Sequence, residues 1–143
     1  DGGAIYFESD LGAAATLALE TVAISKSEAF LGGGVYVATS STGSVSMSMT
    51  NSSISDCVAY TGGGIFSYQG FLSLLYSSII GCRSTDTWNG GGGGLYVENG
   101  GASLDSCILR ANVARNGAGA YFHSAAISPP PSSHRRRPHH SEL

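Results

Sequence analysis

Charge is scarce in this chain: Asp, Glu, Lys and Arg together supply 12% of its 143 residues, and Lys26 is the only lysine. A helical cytosolic enzyme draws heavily on Lys and Glu for its surface, so that class fits poorly. No apolar run reaches the roughly 18 residues of a membrane-spanning helix, and no basic-then-apolar segment opens the chain. The three cysteines, Cys57, Cys82 and Cys107, lack the two-to-four-residue spacing of a zinc site. Their odd number admits at most one internal disulfide, and they read mainly as small buried hydrophobes. Before residue 124 the only histidine is His123, and nothing places a nucleophile beside it, so a Ser-His-Asp or Cys-His arrangement has no support. What the chain does have is 42% hydrophobic residues, enough for one core, and 21 glycines.

The glycines recur with the same sequel. Gly32–Val37 reads GGGVYV, and near-copies stand at Gly2–Phe7, Gly62–Ser67, Gly92–Val97 and Gly117–Phe122. Counted on the following aliphatic residue, Ile5, Val35, Ile65 and Leu95 are 30 apart, and Ala120 follows 25 further on. A second block keeps step: Ile24-x-x-Ser27, Ile54-x-x-Cys57, Ile79-x-x-Cys82 and Leu109-x-x-Asn112. The third copy runs on into a longer stretch that carries Trp88, expected to bulge as a loop, while Cys107 fits two registers. Inside each unit the alternation has period two, as in Val45–Thr50, which argues for strands with one face inward. The Ala-rich start of Thr16–Ser27 looks helical by itself, but its repeat equivalents are rich in Ser, Thr and β-branched residues and overrule it. Each unit therefore reads as three strands: after the glycines, near the middle, and before Cys57 or its counterpart.

A helix-free repeat of this kind buries its inward rows by coiling, each strand pairing in parallel with its counterpart one repeat later. The expected fold is all-β, a right-handed parallel β-helix of about four to five coils over residues 1–127, followed by a Pro/Arg/His-rich tail over 128–143. The glycines then have a structural role, at Gly33, Gly34, Gly63, Gly64, Gly93 and Gly94. At stacked corners the backbone needs φ > 0, expected at Gly33, and side chains would collide. Cys57 and Cys82 are expected inside as structural residues.

The GGA[ILV]-like copies, such as Gly2–Ile5, resemble half of the repeat of polymorphic outer-membrane proteins, a group of autotransporter adhesin passengers; the other half, FxxN, is matched in altered form by Leu109-x-x-Asn112 and its counterparts. The resemblance covers residues 2–122. It implies a parallel β-helix on a secreted or surface-exposed passenger, an extracellular location, and flanking coils of the same longer chain as neighbours. Phe is missing from the FxxN half and no membrane-barrel segment is present, so self-anchoring in an outer membrane does not carry over.

With Ile5 and its counterparts inward, Tyr6, Tyr36, Phe66, Tyr96 and Tyr121 form one outward column, and Glu8, Ala38, Tyr68, Glu98 and His123 the next. The structural reading of the first column is an aromatic ladder, each in-register pair contributing about 0.5–1.5 kcal/mol. The functional reading is a ligand-binding strip of Tyr36, Phe66, Tyr68, Tyr96, Glu98, Tyr121 and His123, with aromatic faces for sugar rings and polar groups for their hydroxyls. The expected function is non-enzymatic, structural or adhesive, toward a cell-surface glycan or a host or matrix protein. The alternative is a segment of a pectin-lyase-like enzyme acting on polysaccharide. Glu8 and Glu98 are too far apart along their column for paired-carboxylate hydrolysis, and the Asp motifs of polygalacturonases and pectate lyases are missing. A third reading, a flat face for ice or mineral, lacks regular Thr columns. No cofactor is expected, and Gly90–Gly94 lacks the Asp of a calcium nonapeptide. No Lys-Ser/Thr follows the glycines to hold a phosphate, and the three arginines of the tail give only weak, salt-sensitive attraction to nucleic acid, which is not an expected partner. Asn51-Ser52-Ser53 fits an N-glycosylation sequon, a tripeptide that arises often by chance.

Overall fold

Sixteen strands and no helix make up the described residues of the computed structural model, which are 2–10, 12–39, 42–88 and 91–123. The 128–143 tail and the last four residues of the 1–127 segment lie outside them. The first repeat carries β1 (Ile5–Ser9), β2 (Ala14–Glu20), β3 (Ala23–Ser25) and β4 (Glu28–Leu31). The second carries β5 (Val35–Thr39), β6 (Ser44–Thr50), β7 (Ser53–Ser55) and β8 (Val58–Thr61), and the third β9 (Ile65–Tyr68), β10 (Gly70–Leu75), β11 (Ser78–Ile80) and β12 (Arg83–Ser84). The fourth has β13 (Leu95–Glu98), β14 (Gly101–Asp105) and β15 (Ile108–Arg110), and β16 (Ala120–His123) begins a fifth. Each strand pairs in parallel with its counterpart in the next repeat. Four sheets result: β1-β5-β9-β13-β16, β2-β6-β10-β14, β3-β7-β11-β15 and β4-β8-β12. The strand of the fourth sheet, after Ser27 and Cys57, escapes sequence reading because it is short and Val58–Thr61 shows no clean alternation.

Inward rows from consecutive repeats merge into one core. Val35, Val37, Met47, Met49, Ile54, Ile65, Leu72, Leu74, Ile79, Leu95 and Val97 are all buried in a single cluster with Cys57 and Cys82. Each such aliphatic side chain contributes about 1.5–3 kcal/mol by leaving water. Ser67 interrupts the row of Val37 and Val97, and its buried hydroxyl has no hydrogen-bond partner.

The corners explain the glycines, with one correction to the expectation. The left-handed residue stands three before the first residue of β5, β9, β13 and β16: Gly32, Gly62, Gly92 and Gly117 have φ of 61, 66, 67 and 54°. Gly33 is not left-handed; it lacks room. A Cβ there would overlap the Gly63 carbonyl oxygen of the next repeat and stand 2.6 Å from the Val58 oxygen. Other corners bend through single left-handed residues that are mostly not glycine. Thr21, Asn51, Tyr76 and Ser106 form one file, and Lys26, Asp56, Gly81 and Ala111 another. Buried serines follow the first file: the Ser52 hydroxyl donates to Thr50 O at 2.8 Å and accepts from Val22 N at 2.9 Å.

Register also revises the period. Ala38 pairs with Tyr68 and Val45 with Gly70, so seven steps of chain in the second repeat correspond to two in the third. Arg83 faces Val113 and Gly91 faces Asn116, so eight steps in the third repeat correspond to three in the fourth. The unit is therefore 25 residues, carrying five extra at the first corner in repeats one and two, and five extra at the last corner in repeat three. The constant spacing of 30 from Ile5 to Leu95 hides this exchange. Cys107 now has one register: Ile108 pairs with Ser78, which sets Cys107 beside Ser77, whereas Asn112 takes the position after Cys57 and Cys82. The Asn112 amide donates to Ile79 O and its oxygen accepts from Cys82 N, both at 2.9 Å.

Candidate functional site

The two outward columns are as the sequence orders them: Tyr6, Tyr36, Phe66, Tyr96 and Tyr121 pair in succession, as do Glu8, Ala38, Tyr68, Glu98 and His123. Strand spacing near 4.8 Å is also close to a comfortable ring separation, so in-register aromatics stack. Centroids stand 4.8, 5.5, 5.1 and 5.5 Å apart down the first column, with the first three pairs within 5° of parallel. A shorter stack, Phe30 on Tyr60 at 5.0 Å, lies in the fourth sheet. Stacking uses up the ring faces. Phe66 is 6% and Tyr96 8% exposed, and Tyr36 is half-buried, so these three rings offer edges to solvent.

The lower end of the ladder differs. Trp88, Tyr96, Glu98, Asn116, Tyr121 and His123 line an open cleft of about 370 Å³. Four of these belong to the expected strip, which the strands bring together: Tyr96 and Glu98 on β13, Tyr121 and His123 on β16. Tyr36, Phe66 and Tyr68 lie above it and do not line it. Tyr121 and His123 rings are 6.3 Å apart and tilted. Trp88, 83% exposed, comes from the five-residue excursion of repeat three, and Asn116 from the segment facing Gly91. Sequence reading placed Trp88 on a loop but not in the site; the signal was the lone Trp inside the one interrupted copy. Asn116 had no signal beyond its place before Gly117.

The Trp88 loop is fixed at its base. Asp86 is buried, accepts the Trp88 N–H at 2.7 Å, and takes a hydrogen bond from the Tyr60 phenol, which raises the Tyr60 pKa. The Asp86 N–H donates to Tyr60 O at 2.9 Å, and the Arg115 guanidinium donates to Thr87 O. Inside the cleft, burial first and then the nearby Glu98 charge push the Tyr96 phenol up to about 12; Tyr121 and Asp86 add smaller contributions. At the opposite end of the ladder the Tyr6 phenol, hydrogen-bonded to Glu8, is likewise raised to about 12, chiefly by that bond. The cleft can thus offer an unstacked indole face, one carboxylate, one amide and one imidazole. Among the described residues no group of three or more His, Cys, Asp or Glu is placed to hold a metal ion, and no helix is long and apolar enough to cross a membrane.

No family model matches the chain, and no curated protein or solved structure does either.

Proposed function

We propose that this chain is part of a right-handed parallel β-helix belonging to a longer secreted or surface-exposed solenoid, non-enzymatic, that serves extension and adhesion and seats a glycan in the Trp88 cleft. The constant order of four parallel sheets supports the coil, and parallel crossovers of this kind are right-handed in about 98% of cases. The observation that carries the ligand is Trp88: an exposed indole lining the same cleft as Tyr121, Glu98, Asn116 and His123 combines an apolar platform with hydrogen-bonding groups. The upper ladder has a structural role, because its faces are occupied. Glycan-array screening followed by affinity electrophoresis is expected to show binding by the parent that Trp88→Ala and Tyr121→Ala each reduce tenfold or more, with Tyr36→Ala unaffected. An array without a hit, or equal binding by all four proteins, overturns the glycan reading.

One observation bears on the polysaccharide-active alternative: Glu98 and His123 are register partners on β13 and β16 and both line the cleft. Asp86 is committed to Tyr60 and the backbone N–H of Trp88, which leaves the half-buried Glu98 beside the exposed His123. Chain cleavage of a bound polysaccharide that is abolished in Glu98→Gln with binding retained would establish that reading; binding without any cleavage excludes it.

A further inference from the structure

Three cysteines with an odd count leave the pairing open in the sequence; the register closes it. Cys57 and Cys82 are equivalent positions of neighbouring repeats, since Ile54 pairs with Ile79 three residues before them. The chains are hydrogen-bonded directly at the pair, with Arg83 N donating to Cys57 O at 2.8 Å. Parallel strands so joined hold their Cα atoms about 4.8 Å apart, inside the 4.4–6.8 Å range that a disulfide spans. Both side chains are fully buried and point the same way. The Cys57 sulfur lies under Gly34 as the Cys82 sulfur lies under Gly64, and Cys82 Sγ reaches back to Ile54 O at 3.9 Å. Above and below them the file continues with Ser27 and Asn112, so no other thiol competes. Cys107 stands in a different file beside Ser77, with its sulfur donating to Asp105 O at 3.2 Å.

All three cysteines are free thiols in this structure; we propose that Cys57 and Cys82 are a disulfide site that clamps the second repeat to the third from inside the core, with Cys107 left unpaired. The oxidant is a soluble disulfide such as oxidised glutathione, acting before the core closes over the pair. One cysteine thiolate attacks it, forming a mixed disulfide and releasing one glutathione; the second cysteine then displaces the other glutathione. One sulfur–sulfur bond forms as one breaks, two electrons pass to glutathione, and both cysteine protons end on the two released thiols. Each thiol donates to the carbonyl two residues before it, Cys57 to Ser55 O at 3.3 Å and Cys82 to Ile80 O at 3.7 Å.

The full chain, folded in mixtures of reduced and oxidised glutathione, acid-quenched, denatured and alkylated, gives the test. The expected product is lighter by two hydrogens and alkylated once, at Cys107. Chymotryptic cleavage after Tyr60 and Phe66 should leave the Cys57 and Cys82 fragments joined. Cys107→Ser should keep this link, and Cys57→Ser should lose it. Three alkylated thiols at every glutathione ratio, glutathione mixed disulfides without a cross-link, or a link through Cys107 would each overturn the proposal.

Discussion

Two residues of the corners, Gly33 and Ala111, separate the two things that glycine does here. Gly33 is needed for space, since any Cβ would press on the carbonyls of Gly63 and Val58; Gly33→Ala should lower stability by about 1–3 kcal/mol as an overpacking change. Ala111 is the reverse case: exposed, at φ 54°, in the file that already uses Gly81. Ala111→Gly should raise stability by about 1 kcal/mol, because it removes left-handed strain where no packing is lost. Urea midpoints of the two variants against the parent check both signs. The glycine run was plain in the sequence, but which glycine turns left was not, since that depends on whose carbonyl stands behind each Cα. Tyr96 gives a pH prediction. Its folded pKa is raised to about 12 against an ordinary 10.0, so the unfolded chain ionises first. The contribution of the neutral phenol is complete below pH 10 and disappears as pH rises toward 12. Ultraviolet titration should show a late-ionising fraction to which Tyr96 and Tyr6 both contribute, and Tyr96→Phe should remove one tyrosinate from it; a parent in which every tyrosine ionises near 10 would contradict the burial.

At the scale of elements, the first and third corners show why the count of 30 was readable and its cause was not. Ile5, Val35, Ile65 and Leu95 announce the repeat through the strand after the glycines. The change from a long first corner to a long last corner leaves that count untouched. Pairing of Gly70 with Val45, at 25, exposes it, as does the step of 25 from Ile54 to Ile79 in the second block. The aromatic column was equally legible, because period two within strands and identity between repeats fix it. Closure of its faces followed from strand spacing and became visible only with the rings in place. The cleft was legible in its strand half, Tyr96, Glu98, Tyr121 and His123, and hidden in its loop half, since repeat logic says nothing about an excursion. Removing residues 86–90 should therefore leave a 25-residue repeat in register. The expected variant keeps the parent's far-ultraviolet β signal and loses any glycan binding that the cleft provides; loss of the β signal would show that the excursion supports the stack.

The whole molecule rests on identity of neighbours: each repeat gives the next one the same strands, corners and inward rows, so the core is continuous and stability is shared between adjacent units. This is why the proposed glycan site lies at the Trp88 loop, where the chain departs from repetition, and why register alone singles out the proposed cysteine pair. Stacking by whole repeats makes one quantitative demand, that equivalent residues of adjacent repeats interact while those two repeats apart do not. A double-mutant cycle on unfolding free energies measures it with Tyr36→Ala, Phe66→Ala and Tyr96→Ala. A favourable coupling of about 0.5–1.5 kcal/mol is expected between Tyr36 and Phe66, whose ring centroids are 5.5 Å apart, and none beyond error between Tyr36 and Tyr96. Zero coupling for the first pair, or equal coupling for both, would contradict stacking by whole repeats.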